Sequence, residues 1–231
     1  AMKGVTDALI ELATLAAHGQ PRWRDAWQAL RQRHHEAATE LLGEDSADLL
    51  QWLDVRFDKL AGLLEALAVI GGLPEEVLER VQGLGEVFSA QLLGRYFNRL
   101  GHPCAVLDAR DVLVVAHGEL GVSVDWERSA ANLAAWRVDN PQSRVVVTGF
   151  VARDGQGRIT TLGRNGSDYS GAIFAALFEA AELHIWTDVD GVLSADPRVV
   201  PEAVTLATLS YDEACELAYF GAKVVHPQTM S

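Results

Sequence analysis

The 231-residue sequence is poor in cysteine, in basic charge and in uninterrupted apolar stretches. Its two cysteines, Cys104 and Cys215, fall in no disulfide or metal-ligand pattern. They are expected to be reduced thiols in a cytoplasmic protein. Lys and Arg number 19 against 32 Asp and Glu, a net charge of −13. Such a chain lacks the basic face that nucleic acid requires, so no nucleic-acid partner is expected. Small anions are not excluded, because a few local Arg and Lys hold one against an unfavourable global field. Glu or Gly interrupts every apolar run before it reaches the length of a membrane span, so no membrane partner is expected. No signal-peptide pattern is present. The chain enters a helical pattern within a few residues, as a fragment of a longer protein would. The common nucleotide signatures are missing too: no G-x-x-x-x-G-K-S/T, no G-x-G-x-x-G after a strand, and no protein-kinase set. A phosphate site here must be of another kind.

What is present is an amino-terminal stretch of helix followed by alternating short strands and helices. Val5, Ala8, Leu9, Leu12, Ala13, Leu15 and Ala16 lie on one face of a 3.6-residue period, which predicts a helix from Val5 to Ala17. Gly19-Gln20-Pro21 ends it. Arg22 to Leu42 and Ser46 or Asp48 to about Ile70 read as a helical hairpin, about 22–70, carrying Trp23 and Trp27. His34 and His35 on its charged first helix have no second ligand pair at metal spacing, and read as surface residues. Gly71-Gly72 stops the hairpin, and Pro74 opens the next helix. From Pro103 onward, short apolar runs predict strands in "PCAVLDA" and at Arg144–Thr148, both with valine, and at Leu183–Trp186. Helices are predicted between and after them, at Trp126–Val138, Asp168–Ala181 and Tyr211–Phe220. The alternation indicates an α/β domain with a mainly parallel sheet. Ligands of such sheets lie beyond the carboxyl ends of strands. That rule singles out Gly149-Phe150, Thr187-Asp188 and the loop Gly163–Asp168.

The loop "TLGRNGSDYSG" (Thr161 to Gly171) is small and polar and opens directly into an apolar helix. Ser167 or Asp168 is a good N-cap. The helix amino terminus offers unpaired N–H groups. Gly163 and Gly166 admit a ligand close to the backbone, and Arg164 supplies a planar donor pair for carboxylate or phosphate. A capped turn with a solvated arginine accounts for the same residues. "WTDVDGVLSADPR" (Trp186 to Arg198) reads either as a nucleotide-binding loop or as an acidic surface turn. A third alternative is the first motif of a haloacid-dehalogenase-type phosphatase, with Asp188 as nucleophile and Asp190 as acid. Too little chain follows Asp190 for the remaining motifs of that phosphatase. Gly221 reads as a left-handed helix cap, followed by Lys223, a point charge for a phosphate or a solvated lysine. Glu86, in "GLGEVFSAQLL", reads as a first-turn acid complementing the helix dipole.

Taken in order, "GVTD", "GLGEVFSA", "VVVTGF", "TTLGRNGSDYS", "IWTDVDGVLSADPR" and "LSYDEACELAYFGAKVVHPQTM" resemble the catalytic domain of aspartokinases. The exact forms "LGRNGSDYS" and "IWTDVDGV" look most like the kinase portion of bifunctional aspartokinase–homoserine dehydrogenases. The resemblance implies a three-layer αβα sandwich of the amino acid kinase (carbamate kinase-like) type with an inserted helical hairpin. Its aspartate-binding lobe would span 1–150 and its nucleotide-binding lobe 151–231. It implies transfer of the ATP γ-phosphate to the β-carboxylate of L-aspartate, with Mg²⁺ on the phosphates, in a protein that is a homo-oligomer at full length. NADP would belong only to a dehydrogenase domain outside this chain. Thr6, Glu86, Phe150, Arg164 and Ser167 are implied at the aspartate site, Glu86 on the amino group and Arg164 on the α-carboxylate. Thr187, Asp188, Asp196, Arg198 and Lys223 are implied at the nucleotide. Asp168 and Lys223 are implied as the catalytic pair, the aspartate orienting lysines that neutralise the phosphoryl group.

There are departures from that pattern. The family's opening strand with its Lys-Phe-Gly-Gly motif is not in this sequence. The chain alone is therefore expected to have little kinase activity, or to act only as a ligand-binding or assembly module. Leu193 stands where many relatives have tyrosine, and Thr148 where relatives often have glutamine.

Overall fold

The computed structural model describes residues 1–118, 121–163, 166–186, 191–195 and 199–219. Five helices come first: α1 (Val5–Ala17), α2 (Trp23–Leu42), α3 (Ala47–Ile70), α4 (Glu75–Gln82) and α5 (Leu84–Arg99). On α1 the buried face is Val5, Leu9, Leu12, Ala13 and Ala16, the stripe that its period marks. A 3₁₀ turn, Gly43–Ser46, joins α2 to α3. The two run antiparallel: Trp27 Nε1 donates to the Phe57 carbonyl at 3.0 Å and Arg31 Nε to Asp54 Oδ1 at 2.9 Å, so the pairing advances on one helix as it retreats on the other.

An aromatic cluster locks α2, α3 and α5 together. The Phe57 and Phe88 rings lie 5.1 Å apart, Trp27 meets Phe57 edge-on at 6.2 Å, and Trp52 meets Phe88 edge-on at 6.0 Å. His34 belongs to this cluster, contrary to its reading as a surface residue. It is 4% exposed, with its ring 5.3 Å from Phe88 and 5.5 Å from Phe57. The signal was in the spacing: Leu30, His34, Ala38 and Leu42 form one buried stripe on α2. His34 Nδ1 lies 2.8 Å from the Leu30 carbonyl, which only accepts, so Nδ1 carries the proton. Nε2 is buried with no hydrogen-bond partner among the described residues.

Burial pushes the His34 imidazole below its usual range, with Arg33 and His35 adding to the effect and the bond to Leu30 opposing it. The sign of the pH dependence follows. The unfolded chain takes up a proton near pH ~6.5, while the folded chain resists it. The stabilisation is therefore full above that pH and is lost as pH falls below it. The urea midpoint is expected to drop between pH 7.5 and pH 5.5, and His34→Gln should reduce that drop. An equal drop in both proteins would remove His34 as its source.

The α/β part follows. In chain order it contains β1 (Cys104–Leu107), α6 (Ala109–Val112), β2 (Val114–Gly118), β3 (Gly121–Val124), α7 (Trp126–Asp139), β4 (Arg144–Val147), β5 (Val151–Asp154), β6 (Ile159–Thr161), α8 (Gly166–Leu177) and α9 (Tyr211–Tyr219). β1 pairs with β4 in parallel, Cys104 opposite Arg144. A second sheet has the order β3-β2-β5-β6, in which only β2–β5 is parallel. The expected single, mainly parallel sheet is thus replaced, among the described residues, by a parallel pair and a mixed sheet. The reason is local: β2–β3 and β5–β6 are consecutive strands joined by short loops, and such connections allow only antiparallel pairing. Leu183–Trp186, expected as a strand, forms none; Leu183, Ile185 and Trp186 are exposed, and no described neighbour pairs with their backbone. α8 stops at Leu177, short of the expected Ala181, because Glu179 turns to a φ of 51°.

Contacts group the chain into two compact units, Ala1–Thr161 and Leu162–Ser231. The β5–β6 hairpin falls in the first. The second contains α8, α9 and an antiparallel bridge between Leu193 and Thr205. No helix among the described residues is long and apolar enough to cross a membrane.

Candidate functional site

Glu86 lies in the first turn of α5, half-buried, where a carboxylate complements the unpaired N–H groups of the helix start. Thr6 is half-buried in the first turn of α1, next to the fully buried Val5.

Phe150 occupies the connection between β4 and β5, from one sheet to the other. Before it, β4 continues its pairing through Thr148, whose N–H donates to the Leu107 carbonyl at 3.0 Å. The buried Thr148 hydroxyl accepts from the Ala109 N–H at 2.8 Å, tying the start of α6 to the end of β4. Phe150 itself has a φ of 68°. That left-handed conformation is strained for an aromatic residue, by about 1–3 kcal/mol, and such strain gathers where a site requires a particular side-chain direction.

These three residues come from separate elements that meet at the start of α5. Gly85 lies against Val5 and Gly83 against Val151. The chain neighbours of Thr6 and Glu86 therefore touch, and Val151, the neighbour of Phe150, lies against Gly83, three residues before Glu86. Sequence reasoning proposed the three but missed the glycines that join them. Glycine in "GLGE" was the available signal; its partners, distant in sequence, were not.

In the second unit, Ser167 and Asp168 fall inside the first turn of α8, which begins at Gly166. The expectation that one of them is the N-cap is corrected. The Gly166 N–H bonds to the Gly163 carbonyl at 3.1 Å, with Gly163 at a φ of 76°, so the helix starts earlier. Ser167 is exposed and Asp168 half-buried. Arg164, Thr187, Asp188, Asp190, Asp196, Arg198, Gly221 and Lys223 lie outside the described residues.

A separate cavity of about 560 Å³ is lined by Glu75, Glu76, Glu79, Asp154, His117, Arg158 and Thr160. Its centre is a relay: the Thr160 hydroxyl donates to Glu79 Oε1 at 3.0 Å and lies 2.7 Å from His117 Nε2. Four carboxylates against one arginine disfavour an anion there. Among the described residues no group of His, Cys, Asp and Glu could hold a metal ion.

The sequence profile of the amino acid kinase family matches residues 2–231. Over its whole length the chain is 41% identical to the "Bifunctional aspartokinase/homoserine dehydrogenase 1, chloroplastic" of Arabidopsis thaliana, of which it covers 26%. It is 42% identical over 183 residues, 77% of its length, to the bifunctional aspartokinase/homoserine dehydrogenase of Haemophilus influenzae, of which it covers 22%. The chain therefore spans about a quarter of these curated relatives. Its fold is similar to Escherichia coli aspartokinase III in complex with aspartate and ADP. The TM-score is 0.86 at 29% identity, covering 100% of this chain and 50% of that one.

Proposed function

The chain belongs to the amino acid kinase family and is homologous to the aspartokinase portion of bifunctional aspartokinase/homoserine dehydrogenases, and from that premise we propose that its protein phosphorylates the β-carboxylate of L-aspartate with ATP to give 4-phospho-L-aspartate. A carboxylate oxygen attacks the γ-phosphorus, the bond to the bridging oxygen breaks, and ADP leaves. The acceptor is already ionised at neutral pH, so no strong general base is needed. Catalysis is then positioning and charge neutralisation. The protein is proposed to act in the cytoplasm as a homo-oligomer, with the finer architecture of a three-layer αβα sandwich.

The observation that carries the reading is the meeting of α1, α5 and β5 beside Thr6, Glu86 and Phe150. Glu86 is assigned to the substrate ammonium and Arg164 to the α-carboxylate, and Thr6, Phe150 and Ser167 are assigned to the aspartate as well. Thr187, Asp188, Asp196, Arg198 and Lys223 are assigned to the nucleotide, and Asp168 and Lys223 to the transferring phosphoryl group. The described part offers no protein cage for magnesium. A magnesium ion would be held largely by phosphate oxygens and water, and would supply charge neutralisation at the phosphates.

The test is kinetic, on the protein expressed from its complete reading frame. Arg164→Ala and Glu86→Gln are each expected to raise the aspartate KM roughly 10- to 100-fold, the loss of a hydrogen bond to a charged group, and to leave the ATP KM little changed. An aspartate KM that does not move in either variant removes both residues from the acceptor site.

A further inference from the structure

We infer that Gly83 and Gly85 are positioning residues for the acceptor: their bare α-carbons let α1, α5 and β5 approach closely enough for Thr6, Glu86 and Phe150 to share one ligand. This rests on the functional reading above. A β-carbon at Gly85 would stand 2.9 Å from Val5 Cγ1 and 3.5 Å from Leu9 Cδ1, and one at Gly83 would stand 2.5 Å from Val151 Cγ1. Separations under 3.0 Å essentially never occur for real β-carbons. Val5, Leu9 and Val151 are each 0% exposed. A buried valine is short and stiff at χ1, so it relieves such a clash by moving its backbone.

That movement would reach the site over a single peptide unit. Val5 precedes Thr6, Gly85 precedes Glu86, and Val151 follows Phe150. Neither glycine is required by backbone conformation. Gly83 has a φ of −73°, and Gly85 lies within α5 and is not among the positive-φ glycines. Any L-residue could adopt these conformations, and alanine is the better helix former. What demands glycine is the approach of the neighbouring elements. Gly94, farther along the same helix, provides a control. A β-carbon there would stand 2.1 Å from Val106 Cγ2, but the position is roughly 12 Å along the axis from Glu86.

The experiment compares Gly85→Ala, Gly94→Ala and the paired exchange Gly85→Ala/Val5→Ala in the protein from its complete reading frame. Gly85→Ala is expected to lower kcat/KM for aspartate by on the order of 10- to 100-fold, the scale of a small misplacement, through KM and with the ATP KM little changed. Gly94→Ala is expected to lower the melting temperature without moving the aspartate KM. The paired exchange, which returns the added volume, should bring the aspartate KM back towards its original value. If Gly85→Ala does not fold, Val151→Ile crowds the Gly83 contact from the other side and is measured instead; a raised aspartate KM supports the inference and an unchanged one overturns it. An unsubstituted protein that neither binds nor uses aspartate overturns the functional reading. One that uses aspartate, with Gly85→Ala showing the same KM, overturns this inference alone.

Discussion

An Asp168→Asn protein is expected to fold normally and to lose on the order of 10²–10³ in kcat for aspartyl phosphate formation, the scale seen when one preorganised electrostatic contact to a transition state is removed. Asparagine keeps the size and much of the hydrogen-bonding capacity of aspartate but not its charge. In the proposed reaction the acceptor and the phosphoryl donor are both anions, and lysine charge must be held between them. A neutral amide cannot orient an ammonium as a carboxylate does. Asp168 is half-buried in the first turn of α8, so losing its interaction with the helix dipole costs only about 0.3–1 kcal/mol. Turnover and stability should therefore separate. An ADP-release assay on folded protein, with the KM for each substrate, makes the comparison. A kcat equal to that of the unsubstituted protein would take Asp168 out of the chemistry.

Phe57→Ala is expected to cost about 3–5 kcal/mol of stability, a large share of the 5–15 kcal/mol typical of a folded domain. Phe57 is 0% exposed and touches the rings of Trp27, His34 and Phe88. Its truncation leaves a cavity that three helices would have to shift together to fill. Its carbonyl keeps the bond from Trp27, so the loss is one of packing. Val69→Ala, at a residue 88% exposed near the end of α3, should stay within about 0.5 kcal/mol. Urea unfolding of both variants checks this, and similar midpoints would mean that the aromatic cluster does not anchor the helices.

The helices were the most legible part of the sequence. α1 and α7 carry long apolar periods, and their observed limits fall on or within one residue of those predicted. Short strands carry no period of their own. β6 has only three residues, too few to show alternation, and its existence depends on β5 folding back beside it. The leucine, isoleucine and tryptophan that announced a strand at Leu183–Trp186 satisfied propensity, but a strand also needs a neighbour. At the candidate site the residue chemistry was legible and the geometry was not. Glu86 was visible as an acid at a helix start. The strained backbone of Phe150 was hidden beside Gly149, the residue that a sequence reader would choose for a left-handed turn. The contacts of Gly83 and Gly85 depend on side chains far away in the chain, which no local pattern announces.

The seating of α5 has a consequence in time. Its backbone lies directly against Val151, Val5 and Val106, through Gly83, Gly85 and Gly94. A helix touched at its bare α-carbons along its length cannot fray one turn at a time without parting from β5, α1 and β1. Its amide protons should exchange with solvent on the slow clock of cooperative opening. Glu86 would then sit on a stretch that is still on the timescale at which ligands come and go.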